Sequence, residues 1–193
     1  MKRISSILFF SLFYLNQVSA QDTLAISINS STVNWIGEKV TGQHSGYINL
    51  QSAFLLLDNN KLVGGKFEID MQSIKCTDIE NEKYALKLEN HLKDADFFAV
   101  DKFPISNFEI TDVIFDSNAY MITGIMTIRG ISKKISFPAS FHNQTGLFIA
   151  DATLKIDRTK HDIKYGSGTF FEELGDSMIY NDFVINIHLE GKK

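Results

Sequence analysis

Five histidines, one cysteine and several neighbouring acids are the residues of this chain whose types could do chemistry. His91 with Asp94 and Asp96 imitates a metal cluster, since imidazole and carboxylate groups are ordinary ligands for first-row cations. A helix end rich in acids explains the same three residues, and none of His44, His91, His142, His161 and His188 falls in a recognised ligand spacing. His44 and His161 are the candidates for an acid or base in a hydrolase or isomerase. His188 shares a polar parity with Asn186 and reads as a solvated or cross-strand paired side chain. Cys76 has no histidine near it, and a single cysteine cannot form an internal bridge, so an inert small residue is expected. Asp157 and Arg158 point to opposite faces if extended and read as a strand-end feature. No G-x-S-x-G, P-loop, dinucleotide fingerprint or C-x-x-C occurs. The expectation is a chain with no catalytic set, no metal site and no cofactor.

What remains conspicuous is apolar. Residues 91–104, HLKDADFFAVDKFP, place Phe97, Phe98 and Phe103 among lysines and aspartates with neither the strand period nor the helix period that would hide them on one face. They face either an ordinary core or a ligand. The elements around them have to decide.

The first 20 residues read as a targeting segment: Lys2 and Arg3, the apolar run Ile7 to Leu15, then Val18, Ser19 and Ala20 before a cleavage point at Gln21. The run is about half of the roughly 20 residues that a membrane span needs. Residues 21–193 are then one domain, exported to the periplasm or secreted, with no stable membrane insertion. Losing Lys2 and Arg3 leaves 17 basic against 23 acidic residues, a formal charge of −6, and nothing basic clusters into a phosphate-tracking surface. Nucleic acid is not an expected partner.

From Leu24 onward the pattern has period two. Phe67, Ile69 and Met71 share a face, and further strands are expected at 24–28, 32–36, 53–57, 105–115, 120–128, 134–141, 147–156 and 179–189. Turn chemistry joins them at Asp58-Asn59-Asn60, Asp116-Ser117-Asn118 and Asn143 to Gly146. Pro104 is expected at a strand start and Pro138 on an edge or bulge. One window, Thr77 to Leu92, has helical spacing, and Thr77 with Glu80 resembles a capping box at its start. The fold expected is all-β and mainly antiparallel, a closed barrel with a short amphipathic helix near one end.

The motifs in order are W-x-G-x-K-x-x-G-x-H-x-G from Trp35 to Gly46, GGKFEIDMQSI from Gly64, HLKDADFFAVDKFP, GIMTIRGISKKISFP from Gly124, and KIDRTKHDIKYGSG from Lys155. Together they resemble the YceI-like proteins, secreted bacterial lipocalin-like barrels associated with polyisoprenoid or other long-chain lipid binding. The chain departs from related sequences at His161-Asp162 and at Arg129, positions that bear on a cavity rim. The resemblance implies a barrel of about eight strands whose interior holds one ligand, a long-chain isoprenoid or fatty-acid-like lipid, bound, carried or sequestered without catalysis. A tail burying on the order of 500 Å² would gain about 12 kcal/mol at roughly 25 cal/mol per Å², before the losses of association.

By alternation, Phe67, Ile69, Met71, Phe108, Ile110, Met126 and Ile128 converge on the tail, with Phe97, Phe98 and Phe103 lining or plugging the mouth. A bulge near Gly64-Gly65 or Gly124 would reverse that parity locally. The alternatives are a filled barrel that acts as a secreted stress or interaction module through its surface, and a lipid-modifying enzyme. The state stays open between monomer and homodimer.

Overall fold

The computed structural model describes residues 21–192 apart from 117 and 118. Residues 1–20, expected from the sequence to be a targeting segment, and residues 117 and 118 of the expected turn chemistry therefore lie outside the described residues. Nine strands run β1 (Asp22–Ala25), β2 (Thr32–Lys39), β3 (Gly42–Asp58), β4 (Lys61–Cys76), β5 (Ile105–Asp116), β6 (Ala119–Ile128), β7 (Ile131–Gln144), β8 (Leu147–Asp157) and β9 (Ile179–Lys192), with one helix, α1 (Glu82–Lys93), between β4 and β5. All pairings are antiparallel, and β3 pairs with β4, so β2 to β9 close into an eight-stranded barrel. β1 continues the line of β2 along β3: Asp22 to Ala25 pair with Leu57 to Phe54, and Ile26 bridges to Gly191.

Hairpin geometry follows from turn residues. Asn59-Asn60, Arg129-Gly130 and Thr145-Gly146 each join paired strand ends with both residues at positive φ, the two-residue turn whose twist matches that of the strands. Pro104 precedes β5, and Pro138 sits where the ladder from β7 to β8 ends at Ala139 and Ala152.

Alternation does not run unbroken along the barrel. In β4 the buried face passes from Leu62 to Met71 and then to Ile74, an even-odd-even sequence, across register shifts in its ladder with β3. Asp70 and Ser73 stitch the shift opposite Tyr47 and Asn49: the Gln72 N–H donates to Asp70 Oδ1 at 2.9 Å, and the Asn49 N–H donates to Ser73 Oγ at 2.8 Å. β3 turns over in the same way between Leu50 and Leu55. β6 does not, and Ile122, Met126 and Ile128 keep one parity.

The helix begins later than its capping-box pattern suggests. Asn81 is the cap, with its side chain accepting from the Lys83 N–H at 3.1 Å and the Tyr84 N–H at 3.4 Å. Thr77 instead donates its own N–H to the Ser45 carbonyl at 2.9 Å, and Asp78 accepts from the Ser45 N–H at 3.0 Å. These bonds hold residues 77–78 along β3, out of helical geometry. α1 is then bolted to the end of β4 by the buried Glu89, which accepts from the Cys76 N–H at 3.0 Å and from Lys75 Nζ at 2.9 Å. Burial pushes the Glu89 carboxyl up, but the Cys76 N–H and Lys75 outweigh it and leave it below its ordinary value.

Candidate functional site

The barrel encloses a cavity of about 390 Å³, within the range of roughly 300–1,000 Å³ usual for small-molecule sites. One end is shut by Leu24, Leu57 and Phe148, all at most 2% exposed. At the other end the lining includes Glu38, Lys39 and Tyr180, which are exposed, so the cavity reaches the surface between α1 and the wall made by β2 and β9. Inward-facing Phe67, Ile69, Ile110, Phe183, Ile185 and Ile187 are only partly buried. A filled barrel would bury these side chains against one another as β-barrel cores do. Here they border space.

Of the residues singled out from the sequence, Phe67, Ile69, Met71, Phe97, Phe98, Phe108, Ile110, Met126 and Ile128 all line this cavity. Phe67 and Phe108 lie 6.1 Å apart, and Phe98 meets Phe183 edge to face at 6.2 Å near the mouth. Phe103 is placed elsewhere. Its ring packs on the Arg129-Gly130 turn, where a Cβ at Gly130 would come within 2.9 Å of it. The whole segment after α1 is a chain of turns, with Phe98 N–H bonded to Leu92 O and Phe103 N–H to Ala99 O. Turns impose no side-chain period, which is why spacing could not separate Phe103 from its neighbours.

Several lining residues were not singled out beforehand. Val33, Trp35 and Gly37 supply one face of β2, Phe183, Ile185 and Ile187 one face of β9, and Leu88 and Leu92 reach in from α1. Period-two spacing on β2 and β9 carried that signal. Trp35, the only tryptophan, has its indole N–H held by the Lys75 carbonyl at 3.1 Å and the Tyr47 carbonyl at 3.3 Å.

Arg158 is the one charged side chain among the deeply buried lining residues, and its contacts are with the protein. Its guanidinium donates to Tyr180 O at 3.1 Å, Ile163 O at 2.9 Å and Ile179 O at 3.0 Å, and lies 5.9 Å from the Phe97 ring centre. Burial lowers its pKa. Asp157 caps the short 3-10 turn Arg158–His161, accepting from Thr159. The pair is thus a bolt at the end of β8, as its sequence suggests. Arg129 adds a second bolt, donating to Phe97 O at 3.1 Å and Asp162 O at 2.8 Å, so both positions that depart from related sequences hold the rim together.

The histidines are dispersed. His161 is buried, its Nδ1 donating to the Ile131 carbonyl at 2.9 Å, and burial pushes its pKa down. His44 pairs with Asp78 at 2.9 Å beside the mouth. His91 packs edge-on to Phe97 and Tyr165 and approaches Asp96 only to 3.8 Å. His188 stands between Asp151 at 2.7 Å and Glu190 at 3.4 Å on β8 and β9, and the Asp151 bond raises its pKa. Among the described residues no three metal-binding side chains converge. The Cys76 thiol donates to Asp78 at 3.1 Å, and burial raises its pKa.

The arrangement can shelter an apolar chain from water and has few polar groups free inside to bind anything else. A UPF0312 protein of Photorhabdus laumondii is 28% identical over 102 residues, 48% of this chain, and the match spans only 49% of that relative. Two solved structures share the fold. The Burkholderia cenocepacia protein BcnA superposes with a TM-score of 0.69 at 20% identity, covering 86% of this chain and 98% of that one. A polyisoprenoid binding domain from Saccharophagus degradans, implicated in plant cell wall breakdown, superposes with a TM-score of 0.61 at 11% identity, covering 88% and 97%. The model of the YceI-like domain matches residues 24–191, nearly all of the barrel, and the chain belongs to that family.

Proposed function

We propose that this protein binds the apolar chain of an amphiphilic lipid, a long-chain isoprenoid or a fatty-acid-like molecule, in the barrel and carries or sequesters it without chemistry. The observation that supports this most is the cavity itself, apolar along most of its walls and open to the surface beside the charged residues Glu38, Lys39 and Asp182. The likeness in fold to a polyisoprenoid binding domain agrees with it. Export belongs to the same proposal: the leader is cleaved before Gln21 and the barrel works in the periplasm or outside the cell, as a monomer or a homodimer.

Trp35 provides the test, because it is the only tryptophan and lines the cavity. Lipids brominated along the chain quench an indole only at close range. Titration with a brominated long-chain fatty acid should quench Trp35 saturably, and an unbrominated isoprenoid alcohol should reverse it by competition. Absence of quenching by chains that are monomeric in solution would remove the reading. An acid-base role would have to use His44 with Asp78 at the mouth, and turnover lost in His44→Gln is the result that would favour it.

A further inference from the structure

Four exposed aromatic residues lie on one connection at the mouth end of the barrel. Tyr165, Phe170, Phe171 and Tyr180 are 43%, 47%, 49% and 47% exposed, all between the 3-10 turn and the first residues of β9. The segment is held in place. Phe170 and Phe171 both donate their N–H to the Ser167 carbonyl at 3.0 Å, and the buried Ser167 hydroxyl donates to Asn181 at 2.7 Å. Asn181 in turn donates to Thr169 at 2.8 Å, next to Tyr180, which is itself part of the cavity lining. Lys164 stands over the Phe170 ring at 5.3 Å and pairs with Asp162 at 2.6 Å. The backbone beneath two adjacent half-exposed phenylalanines is thus fixed by specific bonds, and large apolar groups gathered at a surface are what an interaction site is made of.

We propose that this segment docks the barrel mouth-first on a zwitterionic lipid bilayer, with Phe170 and Phe171 entering the headgroup layer. The inference rests on the lipid-binding reading above. The deeply buried cation beside the lumen, Arg158, already has carbonyl partners for each of its guanidinium nitrogens, so the polar head of a bound amphiphile stays at the mouth, beside Tyr180. Tyr180 belongs both to this connection and to the cavity lining, so a barrel docked by the connection brings its mouth toward the bilayer and shortens the path of the tail through water. Glu172, Glu173 and Asp176 follow directly in the chain, so attraction to anionic headgroups is not the driving force.

The test is flotation with phosphatidylcholine vesicles, comparing the wild-type protein with the double variant Phe170→Ser, Phe171→Ser. Wild type should float and stay bound when salt is raised. The variant should partition at least about tenfold less, with its thermal midpoint and its Trp35 quenching by brominated fatty acid in solution unchanged. A wild type that fails to float, or a variant that floats equally well, overturns the docking surface. So does binding that requires anionic lipid and is lost in salt, or self-association that the double variant abolishes, since the patch then serves charge or a second copy. Flotation without any Trp35 quenching removes the cargo reading and leaves the docking surface standing.

Discussion

Gly37→Phe is the substitution that most cleanly separates an open lumen from a filled one. Gly37 follows Val33 and Trp35 on the inward face of β2 and lines the mouth, and a Cβ added there meets nothing within 4 Å. A phenylalanine at this position has room for its Cβ and extends its ring toward the cavity beside Phe183, and replacing a strand glycine should leave stability unchanged or raise it by roughly 0.5–1 kcal/mol. If the ring excludes about four methylenes of the tail, each worth about 0.8 kcal/mol, the loss is about 3 kcal/mol, which is roughly a hundredfold in Kd. The assay is displacement of a fluorescent fatty acid, run beside thermal unfolding of the same preparation. Weakened binding with an equal or higher Tm is the expected result. Unchanged binding would rule out this site, because a ligand that ignores an obstruction at Gly37 is not entering by this mouth. A large drop in Tm would also count against it, since it would mean the space is occupied by side chains.

His161 is held neutral by burial, so its folded pKa lies below its unfolded value near 6.5; stability is fully present above that pH and is lost as pH falls through the folded pKa. The Tm of wild type should therefore drop between pH 7.5 and 5 more than that of His161→Asn, and equal slopes would show that the ring does not carry the effect. His188 works in the opposite sense, its stabilisation present at low pH and lost as pH rises through its raised pKa, and His188→Gln should remove only that part of the profile. Arg158→Leu strands three carbonyl groups and should cost about 3 kcal/mol or more in denaturant unfolding, with a cost under 1 kcal/mol contradicting its role as a bolt. Asn81→Ala should cost about 1 kcal/mol through the lost cap, more than any cap contribution from Thr77, which a comparison of the two alanine variants by urea unfolding would check.

Much of the barrel could be read from alternation because a one-sided sheet forces period two wherever the ladder is regular. β6 and β9 are of this kind, and their apolar residues lie where the spacing puts them. The first half of β3 was hidden, since Gly42, His44, Ser45 and Gly46 have little strand preference and are held instead by pairing with β2. Gly46 is required there, as a Cβ would collide with the Lys75 carbonyl. The reversals of parity in β3 and β4 depend on bonds such as Asp70 to Gln72, which only the folded neighbourhood selects. The same holds for the helix start, where Asp78 is recruited by Ser45 before it can serve a helix. Phe97 and Phe98 reach the cavity and Phe103 does not, because turns after α1 set their directions one residue at a time.

Native mass spectrometry of the protein purified from an exporting host without added lipid, followed by organic extraction of the same sample, asks whether the barrel holds a lipid. The expected result is a polypeptide beginning at Gln21 with a discrete added mass that transfers to the organic phase as a long-chain amphiphile, and the loss of that mass in Gly37→Phe. A wild-type barrel that carries nothing, and that still shows no added mass after incubation with isoprenoid alcohols or fatty acids, would contradict it.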